Sequence, residues 1–204
     1  MRVTLPLITA CFACLAGLAS AHDLPRLHDV QGVASDDVLN VRSEPGAGSE
    51  IIGELAPDAR GVEVIARNDA GTWGQVNIQE RSGWVSLRYM EPRDHEFDAH
   101  NLPVGLSCYG TEPFWSLTNM DGSMRYEAPI EDAQDMPIET TQTVQGRNDL
   151  RRMVRMRGPD GTASGFLYQA ACNDGMSDRN FALSIGLMVG PDGPLFSGCC
   201  TLSR

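Results

Sequence analysis

The chain has 204 residues, 42% of them hydrophobic and 21% charged, with 21 Gly and 12 Pro. That is a globular composition, long enough for two small domains and broken into short segments that favour β-structure with many turns. A formal charge of −11, shared by both halves, repels phosphate backbones and anionic membrane surfaces, so nucleic-acid binding is not expected. All 16 basic residues are Arg, and the absence of Lys excludes a P-loop lysine, a Schiff-base lysine and a Ser-x-x-Lys nucleophile.

Met1-Arg2 followed by an apolar run to Ala21 reads as a secretory signal, with Ala19-Ser20-Ala21 placing cleavage before His22. A competing reading, lipidation at Cys11 within Ile8-Thr9-Ala10-Cys11, ranks second because the apolar core ahead of it is very short. No other stretch approaches the length of a spanning helix, so a periplasmic or secreted protein without a transmembrane segment is expected. Cleavage removes Cys11 and Cys14 and leaves Cys108, Cys172, Cys199 and Cys200, an even set that reads as two disulfides in an oxidising compartment. Adjacent Cys199 and Cys200 do not bond each other without strain. Cys172–Cys199 with Cys108–Cys200 is the preferred pairing, and the exchanged pairing stays open. No Cys-x-x-Cys spacing or neighbouring base suggests a metal or a reactive thiol, and no cofactor is expected.

From Val30 to Met90 the chain alternates in short strands, expected at 38–42, 53–55, 61–66, 72–78 and 83–86. Clusters such as Glu44-Pro45-Gly46 and Asn68-Asp69-Ala70-Gly71 supply the turns between them. Five short strands suit a small barrel. Leu39-Asn40-Val41-Arg42-Ser43-x-Pro45, Gly53, Trp73-x-Gln75-Val76 and Gly83-Trp84-Val85-Ser86-x-x-Tyr89 together resemble a bacterial SH3 domain. The resemblance implies an envelope attachment module over 22–92 that binds peptidoglycan or a peptide. On the residues alone, Asn40 and Arg42 share one strand face and pin the following turn, and Trp73 and Trp84, each beside a glycine, pack at the end of the barrel. All four are also the module's candidate binding residues.

Residues 93–103, charged and bracketed by prolines, read as the inter-domain linker, and His95 and His100 within it are too awkwardly spaced for a metal site. Beyond it, strands are expected at 114–118, 124–127, 138–144, 152–157, 165–170, 181–189 and 195–199, with Asp121-Gly122 in the first hairpin. About seven strands suggest an antiparallel barrel or sandwich over 104–204. Cys108-x-Gly110-x-Glu112-Pro113-Phe114-Trp115, Cys172-x-Asp174-Gly175-Met176-Ser177-Asp178 and Gly198-Cys199 are similar to a family of uncharacterised bacterial envelope proteins, often lipoproteins, some of them lipocalin-like. Against that family Cys108 and Cys200 look like an added pair, which supports joining them.

Pro113 is expected to hold Glu112 extended beside Phe114 and Trp115. Asp174, Ser177 and Asp178 are expected to brace a tight loop. If Glu112 converges with Asp174 or Asp178, the carboxylates gain acid–base or cation-binding capacity. A Ser-His-Asp triad is disfavoured, since every His lies at or before residue 100. The basic run Arg147–Arg157 reads as a solvated strand face neutralised by acids, with residues 131–135 as available partners. Glu112, Trp115, Asp174 and Asp178 are the second module's candidate binding residues.

The expectation is therefore an all-β protein, an SH3-like small barrel followed by a disulfide-stapled lipocalin-like barrel. Its function is non-catalytic binding in the cell envelope, with peptidoglycan or an envelope protein or peptide as partner. The alternative is a cell-wall hydrolase, or a regulator of one, using the carboxylates of the second module.

Overall fold

The computed structural model describes residues 24–158 and 161–202. The expected signal segment, its cleavage point at Ala21 and the alternative anchor Cys11 lie outside the described residues, as do Pro159 and Asp160.

The first module has strands β1 (Arg26–Val30), β2 (Leu39–Arg42), β3 (Ile51–Leu55), β4 (Val62–Val64), β5 (Ala66–Arg67), β6 (Trp73–Ile78), β7 (Arg81–Ser86) and, after a 3-10 turn at Leu87–Tyr89, β8 (Met90–Pro92). Two sheets form, in the orders β4-β1-β8 and β3-β2-β7-β6-β5. Period-two alternation puts Leu39 and Val41 of β2, Val76 of β6 and Val85 of β7 into one core with Val30, Val64 and Met90. β1 was not expected. Its Arg-Leu-His-Asp-Val composition hides the strand, because the buried position is taken by His28, 2% exposed, whose Nδ1 donates to the Arg26 carbonyl at 3.0 Å.

The second module is a closed eight-stranded barrel of β9 (Ser107–Thr111), β10 (Phe114–Asn119), β11 (Ser123–Ala128), β12 (Glu131–Thr143), β13 (Arg152–Gly158), β14 (Gly161–Cys172), β15 (Phe181–Met188) and β16 (Leu195–Thr201). Every strand pairs antiparallel with its sequence neighbours, and β16 closes on β9. The β10–β11 hairpin turns at Asp121 and Gly122, both at positive φ, as an Asp-Gly hairpin requires. Leu117, Met124, Met136, Met156, Leu167, Leu183, Ile185 and Leu187 are each no more than 2% exposed and fill the interior. These side chains form the core of the second module.

Two expectations are corrected here. β9 is not among the expected strands, because Cys108 and Gly110 carry its inward face and offer no apolar run. Glu112 and Pro113 are consequently the two-residue tip of the β9–β10 hairpin, with Thr111 opposite Phe114, and do not form an extended lead-in to a strand.

Both disulfides follow from strand alternation. Cys199 and Cys200, neighbours on β16, point to opposite faces of the barrel wall. Cys200 turns inward and bonds Cys108, its direct partner across the β16–β9 closure, with 4.0 Å between Cα atoms. Cys199 turns outward and bonds Cys172 at the end of β14, with 5.6 Å between Cα atoms. The preferred pairing is the one that forms. Four cysteines paired in this way fit an oxidising compartment. No helix among the described residues is long and apolar enough to cross a membrane.

Residues 93–103 lie against both modules. Asp98 accepts the His100 and Leu102 amides and the Asn119 side chain at 2.7–2.9 Å, and Leu102 is 1% exposed. Arg93 N–H donates to Leu27, and the Arg152 guanidinium stacks over Phe97 while donating to the Asn101 carbonyl. The basic run is thereby partly structural. Its ion-pair partners are Asp149 for Arg151 and Glu139 for Arg157, and the expected partner Asp135 pairs with Arg125 instead.

The modules also meet directly. Glu63 of β4 is 6% exposed; its carboxylate accepts the Thr201 hydroxyl at 2.5 Å and the Leu202 amide at 2.8 Å. The backbone of Asp178 bonds to Glu80 and Ser82 at the β6–β7 tip, and Asn180 bonds to Asn77 and Ser82. Burial pushes the Glu63 carboxyl above its ordinary range, against the Thr201 and Leu202 hydrogen bonds and the Arg179 charge. An acid whose folded-state pKa is raised binds its proton more readily folded than unfolded. Its contribution to stability is therefore lost as pH rises from the ordinary carboxylate value through the raised one. Denaturant melts of the wild type and Glu63→Gln across pH 4 to 8 test this: the variant should gain stability relative to the wild type as pH rises. A difference that stays flat contradicts it.

Candidate functional site

Two outer grooves collect the candidate residues. On the first module, β2, β6 and β7 present Asn40 and Arg42, Trp73 and Gln75, and Trp84 and Ser86 on one face of the five-stranded sheet, with Trp84 opposite both Gln75 and Arg42. A groove of about 380 Å³ along this face is lined by Asn40, Arg42, Trp73, Arg88 and Tyr89. Arg42 braces its wall, donating to the Ser49 carbonyl at 2.6 Å and so closing the 43–49 turn over the groove. Trp73 and Trp84 are half-buried, each with part of its ring at the surface. Trp84 is in the row beside the groove and does not line it.

On the second module, the β9–β10 hairpin tip and the 173–178 loop face each other across the outer ends of β14, β15 and β16. A groove of about 780 Å³ lies between them, and Glu112 and Asp174 both line it. The loop is held at each end and in the middle. The Cys172–Cys199 bond fixes its start to the groove floor, the Thr111 hydroxyl donates to the Asp174 carbonyl at 2.8 Å, and Asp178 is paired to the first module.

Asp174 is the loop's internal brace. One carboxylate oxygen accepts the Met176 and Ser177 amides at 3.0 and 2.9 Å, and the other accepts the Ser177 hydroxyl at 2.8 Å. Burial pushes its carboxyl up, but those three bonds and the Arg179 charge outweigh it and hold the group below its ordinary value. Glu112 is exposed at the hairpin tip. Asp178 does not join them; its place is at the seam between modules. Among the described residues no group of three or more His, Cys, Asp or Glu is placed to hold a metal ion.

Trp115 is 4% exposed and lies across Gly110 and Gly198. A Cβ on Gly110 would stand 2.3 Å from its Nε1, and one on Gly198 would stand 2.7 Å from its Cζ2. The indole is a plug of the barrel wall, with Phe114 beside it turned out to solvent, 52% exposed.

Sequence reasoning missed a buried cluster under the 173–178 loop. The Tyr109 ring meets Phe181 edge to face at 5.5 Å, and Arg179 lies over Phe181 at 5.0 Å. The Tyr109 hydroxyl is buried without a hydrogen-bond partner among the described residues. Burial pushes it up to about 12, opposed by Arg179 and reinforced by the charges of Asp174, Glu63 and Glu80. Glu63 sits between Val62 and Val64 and reads locally as a solvent-facing position; no sequence signal separates it from one.

A β protein of two docked modules, the first an SH3-like small barrel and the second a closed up-and-down barrel with an outer groove, is the class these features define. Residues 37–91 match the bacterial SH3 domain family. No curated protein and no solved structure matches the chain.

Proposed function

We propose that the chain is a non-catalytic binding protein of the cell envelope, exported by the signal read at its N-terminus, whose SH3-like module takes peptidoglycan or its peptides. The observation that carries this reading is the coincidence of the bacterial SH3 match with a groove on the same module lined by Asn40, Trp73, Arg88 and Tyr89. The aromatic rings supply contact area at little conformational cost, and the guanidinium of Arg88 offers a fork for a peptide carboxylate. The two disulfides support an oxidising location. The likeness of the second module to lipocalin-like envelope proteins belongs to the same proposal, supported by its eight-stranded closure.

Titration of a soluble wall stem peptide, followed by tryptophan fluorescence, tests the module. Saturable binding is expected, weakened about tenfold in Trp73→Ala, which corresponds to about 1.4 kcal/mol. Asn40→Ala, a smaller change, should weaken it in the same direction. Binding that neither variant alters would place the peptide elsewhere.

A second reading rests on one observation: Glu112 and Asp174 line a common groove, as a carboxylate pair in a hydrolase would. Against it, both oxygens of Asp174 are spent on the loop, and its lowered pKa suits no general acid.

A further inference from the structure

We infer that the outer groove of the second module is a glycan-binding site, taking an uncharged polysaccharide strand across β14, β15, β16 and β9. The inference rests on the envelope-binding reading and adds a second, chemically different contact to it.

The groove floor is one transverse row of the barrel's outer face. Tyr168 stands opposite Ser184, Ser184 opposite Cys199, and Cys199 opposite Tyr109. Three interstrand steps of about 4.8 Å give a track of roughly 14 Å, enough for a few sugar rings laid end to end. The middle of the track has small side chains: Ser184 and Ser197 line it beside the Gly198 backbone. Its two ends carry aromatic rings, Tyr168 at one and Phe114 at the other.

Those rings are outward by strand phase. Phe166 stacks on Tyr168, with centroids 5.7 Å apart and planes 20° from parallel, and is itself 39% exposed. Met176, 67% exposed, overhangs from the loop. Water-facing aromatic surface of this extent is costly unless something covers it. A pyranose ring offers a flat face of C–H groups to a π-system and a perimeter of hydroxyls, which matches aromatic ends and a hydroxyl-lined middle.

Charge selects among possible occupants. Glu112 and Asp174 stand at the rim of a protein whose net charge is −11, so a polyanion is repelled. The exposed Glu112 carboxylate can accept hydrogen bonds from sugar hydroxyls, while Asp174 and Asn173 are engaged within the loop and shape the rim. The groove is also preorganised, since the Cys172–Cys199 bond, the Thr111–Asp174 bond and the docking of Asp178 hold its loop before any ligand arrives.

Calorimetric titration of the full chain with a β-1,4-linked N-acetylglucosamine hexamer tests the inference. Saturable binding is expected, weakened at least tenfold in Phe114→Ala and in Tyr168→Ala, and largely retained in Phe114→Tyr. Both positions have surface exposure, and an unchanged thermal midpoint confirms that the variants fold. Trp73→Ala should leave hexamer affinity unaltered. The inference is overturned by absence of saturable binding, by binding that both alanine variants preserve, or by binding of an apolar peptide without the hexamer. Loss of stem-peptide binding in Trp73→Ala with no hexamer binding would sink this inference and leave the proposed function standing. Hexamer binding that depends on Phe114 and Tyr168, with no stem-peptide binding, would do the reverse.

Discussion

Replacing Cys108 and Cys200 together by Ala should cost about 4–5 kcal/mol of stability, the chain-entropy value for a closed loop of 92 residues. The bond lies at the point where the barrel closes. β9 and β16 are the first and last strands of the second module, and three residue pairs, Ser107–Thr201, Cys108–Cys200 and Tyr109–Cys199, make their register. Every other strand pair of this barrel joins neighbours in sequence, so within it only this closure needs a long loop to be brought together. Removing Cys172 and Cys199 should cost less, about 3–4 kcal/mol, because 27 residues separate them. Denaturant melts of the two double variants should rank them in that order. The reverse order would mean that the bond tying the 173–178 loop, and not the one across the closure, carries the module.

Trp115→Ala should lose about 3–5 kcal/mol, in the range for emptying a buried aromatic site. The indole is 4% exposed, and two glycines, Gly110 and Gly198, have no side chain with which to refill the space. The complementary change should also be severe. A Cβ on Gly198 meets the Tyr109 carbonyl oxygen at 2.5 Å as well as the indole, and backbone on the adjacent strand cannot step aside as a side-chain end would. Gly198→Ala is therefore expected to destabilise the module by over-packing, at about 1–3 kcal/mol. Thermal unfolding of both variants checks the pair. A Trp115→Ala protein as stable as the wild type would show that the barrel wall collapses onto the vacated space.

Much of the fold was legible because it is written in period two. Leu39 and Val41 against Asn40 and Arg42, or Val154 and Met156 against Arg155 and Arg157, assign inside and outside by alternation alone. The same rule sends Cys199 and Cys200 to opposite faces, but the choice between the two pairings came from the family resemblance and is fixed by the β16–β9 register, which sets Cys200 opposite Cys108. The misses have the same origin. β1 puts a His where an apolar residue signals burial, and β9 puts a Cys and a Gly there.

The site was legible in part. Both unusual motifs were located, and Glu112 and Asp174 do line one groove. Glu63 was not legible, because it is buried by a module more than a hundred residues away in the chain and not by its own strand neighbours. The exposed faces of Phe114 and Tyr168 were not legible either. An aromatic residue on a strand looks like core until the closure of the barrel fixes which phase is inward.

The central claim is that the chain binds cell-wall material through the Trp73 face of its SH3-like module without cutting it. Co-sedimentation of the full chain with purified peptidoglycan tests this most directly, with soluble fragments measured in the same tubes. The account predicts that the wild type sediments, that Trp73→Ala largely stays in solution, and that no fragments are released. Fragments released by the wild type and absent with Glu112→Gln would contradict it and make the second module an enzyme. A wild type that does not sediment would remove the wall as the partner.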